Sequence, residues 1–245
     1  MKSKFQKTAL ILIGVFFLLF IFLPDFALSL LRILFPSEPD RLYSRSSLSR
    51  LLLEHIFVVI VSESLAILLG TGLGIFVTRP RGKAYLPLVQ SLASMVQTFP
   101  PTAVLALAIP LAGYGFKPVI IALFLYSSFP IISNTVSGLG SVPKDLIDAS
   151  RGLGMKEGQI LIRTEIPLAA AVILAGIRTS TIINIGTATI GAVAGAGGLG
   201  NVLMAGLIHN NGAYIFTGAL CAALLAFFAD RAFAGVDRRL KRKVA

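Results

Sequence analysis

Six polar side chains stand inside otherwise apolar stretches of this chain: Glu63, Gln97, Asn134, Arg178, Asn184 and Thr187. Ionisable and amide groups placed in hydrocarbon face the protein interior or a water-filled cavity, and they commonly mark routes for ions or solutes. Glu63, Gln97, Asn134, Asn184 and Thr187 are therefore the candidates for lining a translocation path. For Glu63, an ion pair with Arg178 or contacts with backbone that hold helices together is an equally good reading. Arg178 lies about two to three turns from one end of its segment, so its long stem suits snorkelling to the interface. Asn184 and Thr187 suit either hydrogen bonds between helices or a polar lining.

Catalysis by this chain alone finds no support. His55 and His209 lie at segment edges, with no cluster of carboxylates or cysteines that would make a metal site or a nucleophilic triad. No G-x-x-x-x-G-K-[ST] phosphate loop occurs, which excludes ATP hydrolysis by that route. The one GxGxxG, Gly195, Gly197 and Gly200, follows an apolar segment, and no acid comes after it until Asp230. The dinucleotide fingerprint needs a strand, a helix and an acid about 20 residues on, so these glycines serve turning or close packing instead. Gly70 with Gly74, and Gly191 with Gly195, have the four-residue spacing that lets helices approach closely. The single cysteine, Cys221, lies in an apolar segment and reads as a small core residue.

The most polar internal stretch is SVPKDLIDASRGLGMKEGQILIRTEIP, residues 141–167, between two long apolar segments. It carries Lys144, Arg151, Lys156 and Arg163 against Asp145, Asp148, Glu157 and Glu165. Connections between helices are commonly a few residues long, whereas this one has the length and pattern for two short helices parted by Gly152 and Gly154. Pro143 suits the first helical turn, after Ser141 or Val142. A structured loop of this kind reads as a docking surface in preference to a spacer.

The elements that position these groups are membrane helices. Hydrophobic residues make up 56% of the 245 residues and charged residues 13%, and the mean hydropathy is +0.86. Six apolar segments stand near residues 8–31, 55–78, 86–112, 118–138, 167–194 and 212–234. Each holds about 20 residues or more, enough to cross roughly 30 Å of hydrocarbon. The third is the weakest, because Gln90, Gln97 and Pro100–Pro101 interrupt it. The expected class is an all-α integral membrane protein with about six transmembrane helices. The first segment reads as a retained span and not a cleaved leader, since its apolar sequence resumes as far as Phe35.

The net charge of +11 is distributed as a membrane protein distributes it. With the N-terminus inside, sixteen of the 22 basic residues fall on the cytoplasmic side: Lys2, Lys4, Lys7, Arg79, Arg81, Lys83, the four of the polar stretch, Arg231, Arg238, Arg239, Lys241, Arg242 and Lys243. The positive-inside rule then places both termini in the cytoplasm. Arg32, Arg41, Arg45 and Arg50 run against it, offset in part by Glu38, Asp40 and Glu54. No soluble basic domain exists to bind nucleic acid.

Asp148-Ala149-Ser150, then Gly154, then Ile166-Pro167, resembles the EAA motif of permease subunits of bacterial ABC importers. Asp stands here for the motif's Glu and Ser for its second Ala. The stretches 167–200, 70–80, 97–111 and 118–132 are similar to osmoprotectant permeases, the importers of glycine betaine, choline and carnitine. The resemblance implies the type I ABC importer permease fold, with cytoplasmic coupling helices that seat in a partner ATPase. Asp148, Ala149, Ser150, Gly154, Ile166 and Pro167 would then couple transport to ATP hydrolysis. It further implies an ATP-binding subunit that carries ATP and Mg, a second permease (a copy or a paralogue), and an extracytoplasmic substrate-binding protein. It leads us to expect a first helix and outer loop at 1–54, a core permease domain at 55–234 and a basic tail at 235–245. No cofactor is expected on this chain, and its setting would be the bacterial inner membrane. An importer of another small solute such as an amino acid is the alternative. A secondary transporter would need acids in broken helices, of which Glu63 is the one available, and a purely structural membrane protein would leave the polar stretch without a role.

Overall fold

The computed structural model describes residues 2–244, with side chains described from Thr8 to Leu240 and at Arg242. Expectations resting on the side chains of Lys2, Lys4, Lys7, Lys241 and Lys243 lie outside the described residues. The helices are α1 (Lys2–Phe22), α2 (Pro24–Leu34), α3 (Leu48–Thr78), α4 (Leu86–Thr98), α5 (Pro101–Ala112), α6 (Phe116–Gly140), α7 (Lys144–Gly152), α8 (Glu157–Ile160), α9 (Ile166–Thr187), α10 (Gly200–His209) and α11 (Gly212–Val244). Four helical stretches are long and apolar enough to cross a membrane, and up to six if each of two bent pairs counts as one span. No strand occurs among the described residues.

Two of the expected spans are broken. α1 and α2 meet at 101°, as do the stretch Lys83–Thr98 and α5. Both breaks lie at proline. Leu23, before Pro24, and Phe99, before Pro100, are extended, as steric conflict with a following proline ring requires. The polar stretch also departs from two separate helices. α7 stands alone, but α8 is one turn that passes through a π turn, Leu161–Glu165, straight into α9. Pro143 sits at the N-cap of α7 and not inside its first turn. At its far end the α9 segment tightens into a 3₁₀ stretch, Ala188–Ala194.

The core of the bundle is α6 held between α3 and α9. Glycine makes this close packing possible. A Cβ at Gly74 of α3 would lie 2.7 Å from Thr135 Cβ, and one at Gly176 of α9 would lie 2.6 Å from Asn134 Cβ. Both distances are below contact, so each position admits hydrogen alone and the backbones approach as small residues allow in membranes. Gly195, in contrast, has open space around it and a φ of +74°, so it turns the chain and packs against nothing. Its neighbours Gly197 and Gly198 also have positive φ, and the loop wraps the carboxylate of Glu54 of α3, whose Oε2 accepts from Gly198 N at 3.1 Å. Of the GxGxxG glycines, Gly197 meets this carboxylate and Gly200 packs on the backbone of Thr189.

The break between α4 and α5 is satisfied by α6. Pro130 lies inside α6 and has no N–H, so Tyr126 O, four residues earlier, loses its helical donor. Gln97 Nε2 donates to that carbonyl at 2.7 Å. In return, the Tyr126 hydroxyl donates to Phe99 O at the break itself. Two proline defects in separate helices therefore repair each other. Gln97→Leu should lower stability by about 1–3 kcal/mol, the usual cost of stranding a buried carbonyl, read as a lower midpoint of thermal unfolding in detergent. Adding Pro130→Ala returns an N–H to Tyr126 O and should recover most of that loss.

Candidate functional site

The polar loop is organised around the end of α7. Leu153 caps the helix, and the chain leaves it with Met155 N donating to Ser150 O at 3.2 Å and Gly154 N to Arg151 O at 2.9 Å. These two bonds form a Schellman motif, which places its C′ residue in the left-handed region. That residue is Gly154, with φ +78° and nothing within contact of a Cβ. The glycine is therefore demanded by backbone conformation; the space around it is open.

Arg151 bridges Asp148 Oδ1 at 3.1 Å and Glu157 Oε1 at 2.9 Å, fixing α7 against α8 on the exposed side. The hydrogen bond from Arg151 holds the Glu157 carboxyl below its ordinary value, and Glu157 in turn raises that of Arg151. Because the acid is depressed, the bridge's contribution is present above the ordinary glutamate range and is lost as pH falls through the lowered value. Both partners are exposed, so that contribution is small.

α7 shows two faces. Ser150 is buried, its hydroxyl sharing a 3.1 Å hydrogen bond with Thr164 Oγ1, and Ile147 packs against the cluster of Leu139, Val142, Ala169 and Ile173. Leu146, Ala149 and Leu153 follow one another at three- and four-residue spacing on the exposed side, and Leu153 is 83% exposed. Asp148 is exposed beside them. Ile166 is half-buried and Pro167 exposed at the start of α9. Six candidate residues thus share one end of the molecule, with Ser150 turned inward.

The membrane-embedded candidates divide. Glu63 of α3, Ser127 of α6, and Ser180 and Asn184 of α9 form one buried junction. Ser127 Oγ donates to Glu63 Oε2 at 3.0 Å, Asn184 Nδ2 to the same oxygen at 2.8 Å, and Ser180 Oγ to Oε1. Asn184 Nδ2 also donates to Ser127 Oγ, leaving Asn184 Oδ1 without a partner. The other candidates do not join them. Gln97 is held on Tyr126 O, Asn134 Nδ2 donates to Pro130 O at 2.8 Å, and Thr187 Oγ1 donates to Ile183 O at 2.9 Å. Tyr126 is buried in the latch described above.

Glu63 does not pair with Arg178. Arg178 bonds Asp230 of α11, with Nε at 2.7 Å and Nη2 at 2.5 Å from Oδ1. The reason is helical: residues 178 and 180 are about 200° apart around α9, so if Ser180 and Asn184 face α3, Arg178 faces away. Ser127 and Ser180 are the members of the junction that the sequence reading missed. Ser180 and Asn184 are four residues apart and share a face, a spacing visible in the sequence. Ser127 is one of two adjacent serines and carries no comparable mark. Away from the loop, a cavity of about 430 Å³ lies between the α2–α3 connection and the α10–α11 turn, bordered by Glu38, Asp40, Tyr43, His209, Asn211 and Tyr214.

The structure is an all-helical bundle with helices of membrane-crossing length, broken spans, a glycine-packed core and a helical loop at one end. The chain belongs to the family of binding-protein-dependent transport system inner membrane components, which matches residues 70–242. It is 41% identical over 186 residues to the osmoprotectant import permease protein OsmY of Salmonella typhimurium, covering 76% of this chain and 79% of that one. Two Bacillus subtilis proteins are each 40% identical. They are the choline transport system permease protein OpuBB (76% of this chain, 85% of that protein) and the glycine betaine/carnitine/choline transport system permease protein OpuCB (78% and 87%). The fold is similar to a chain of the MetNI methionine ABC transporter in an inward-facing conformation, with a TM-score of 0.70 and 23% identity over 79% of this chain and 95% of that chain.

Glu63→Leu would leave the donors of Ser127, Ser180 and Asn184 facing an apolar group, each at a cost of about 1–3 kcal/mol if nothing rearranges. We expect a marked loss of folded protein in detergent and a lower unfolding midpoint, with Glu63→Gln much milder because its carbonyl still accepts. Equal stability of the Leu variant and the wild type would contradict the structural role of the junction.

Proposed function

We propose that this chain is one permease of an ATP-driven importer that carries a quaternary ammonium osmoprotectant such as glycine betaine across the inner membrane. The observation that carries the reading is about 40% identity, over three-quarters of the chain, to three permeases named for osmoprotectant, choline, or glycine betaine, carnitine and choline transport. The chain's own part is non-catalytic. ATP and Mg belong to a separate ATP-binding subunit, and a second permease and an extracytoplasmic substrate-binding protein complete the system. The bundle from 55 to 234 is its core, preceded by a first helix and outer loop at 1–54 and followed by a basic tail at 235–245.

α7 is the coupling element in this reading. Its Leu146, Ala149 and Leu153 put apolar surface on an otherwise charged loop, which suits a groove on a soluble partner. Asp148, Ala149, Ser150, Gly154, Ile166 and Pro167 form or fix that surface. Both termini are cytoplasmic in this reading: the distribution of basic residues favours it, and Asp237 near the end of α11, which borders the same recess as Ala171 of α9, supports it for the C-terminal end. ATP binding closes the ATPase dimer and carries α7 with it, and the permease pair switches between discrete inward-facing and outward-facing arrangements. Glu63 and Asn184 are then positioned to hold α3, α6 and α9 as one body through that switch. Gln97, Asn134 and Thr187 are the further candidates for the route, each already bonded to a carbonyl.

The test is ATP-dependent uptake of labelled glycine betaine into proteoliposomes holding this chain, its co-purified partners and the binding protein. Uptake that vanishes without ATP or without this chain is expected. ATPase activity stimulated by the binding protein with no betaine uptake would keep the importer and discard the solute. In the same assay Gly154→Asn, which tolerates positive φ, should retain far more transport than the β-branched Gly154→Val, for which that conformation is a true outlier. Normal uptake by a well-expressed Gly154→Val variant would remove the loop from the coupling role.

A further inference from the structure

The start of α9 is fastened to the end of α3 by a charged pair. Glu165 is 5% exposed and receives two parallel hydrogen bonds from Arg79, Nη1 to Oε2 at 2.6 Å and Nη2 to Oε1 at 3.1 Å. Arg79 is the residue that caps α3. Its Nε and Nη2 also donate to Thr78 Oγ1 at 3.3 and 3.2 Å, and that hydroxyl donates to Ile75 O at 2.7 Å. The guanidinium is thereby built into the last turn of α3. Glu165 ends the π turn Leu161–Glu165, and the residue before it, Thr164, is the one bonded to Ser150 of α7. π turns are rare and recur at functional sites. In this one, neighbouring residues reach two different elements, Thr164 to α7 and Glu165 to α3.

We infer that Arg79 and Glu165 are positioning residues that pass the displacement of α7 to α3, an inference that rests on the coupling reading of α7. A bidentate guanidinium–carboxylate pair fixes direction as well as distance, so movement of one end carries the other. Because the pair is largely buried, separating its members would leave a desolvated charge, and the two helices move together in preference to parting. The other charged bridge of the loop, Arg151 with Asp148 and Glu157, is exposed and joins α7 to α8. It does not reach the bundle. α3 carries Glu63 and packs along α6, so a shift at its foot acts on the three-helix junction.

The experiment uses the complete complex in proteoliposomes and reads two quantities: stimulation of ATP hydrolysis by glycine betaine-loaded binding protein, and betaine imported per ATP. The variants are Glu165→Gln, Arg79→Lys and the exchange Arg79→Glu with Glu165→Arg. Both single variants should assemble with the ATP-binding subunit and keep basal hydrolysis, while stimulation falls about tenfold, within the ordinary range of coupling between sites. Arg79→Lys keeps the charge but not the fork, so a loss there marks the geometry as the requirement. The exchange should recover most of the stimulation. Single variants within about twofold of wild type would overturn the inference, the range in which no coupling of ordinary size has been lost. So would a loss that merely follows the amount of assembled complex, with betaine per ATP unchanged. A wild-type complex with no stimulation at all would overturn the importer reading, and this inference with it.

Discussion

A carbonyl that loses its helical donor inside hydrocarbon has no water to turn to and costs several kcal/mol if nothing else reaches it. That constraint decides where this chain can break and what must stand beside each break. Pro130 frees Tyr126 O in α6, and the proline pair at residues 100 and 101 forces an extended Phe99 between α4 and α5. Gln97 and the Tyr126 hydroxyl close both gaps at once. A bend of 101° is tolerable at this depth because α6 satisfies it. α6 can do so because glycines at 74 and 176 let α3 and α9 close on its two sides.

The same constraint shapes the polar junction. Glu63 is the one acid in the middle of α3, and it is surrounded by hydroxyl and amide donors from two other helices. With the nearby cation Arg178 turned to Asp230, the hydrogen bonds at Glu63 come from neutral groups. Neutral donors hold three helices together without tying the bundle to one ion pair. Such a junction sits at the middle of the helices whose lower ends meet the loop through Arg79 and Glu165. The molecule therefore has two fastened levels, one at mid-membrane and one at the loop.

Much of this was legible in residue order. Apolar runs of membrane length, the proline-interrupted third segment and the helical loop all follow from periodicity and punctuation. Glu63 and Asn184 stand out because polar groups in hydrocarbon are costly. What stayed hidden is partnership. Nothing in the sequence says that Gln97 answers Pro130, since the two lie in different helices and the link depends on their packing. Residue order marks Gly154 as a break between two short helices, but only its φ of +78° shows the backbone requirement of a Schellman turn. Arg79 and Glu165 each looked like an ordinary charge at a helix end, because only the fold brings together residues 86 positions apart.

If α7 is the coupling element, its outward face seats in the ATP-binding subunit. The most direct measurement places a photo-crosslinking residue at Leu153, the most exposed apolar side chain of that face, in the intact complex. An adduct with the ATP-binding subunit, strong from position 153 and absent from the inward-facing position 150, is expected. An adduct with lipid alone, or none with that subunit in an assembled and hydrolysing complex, would contradict it.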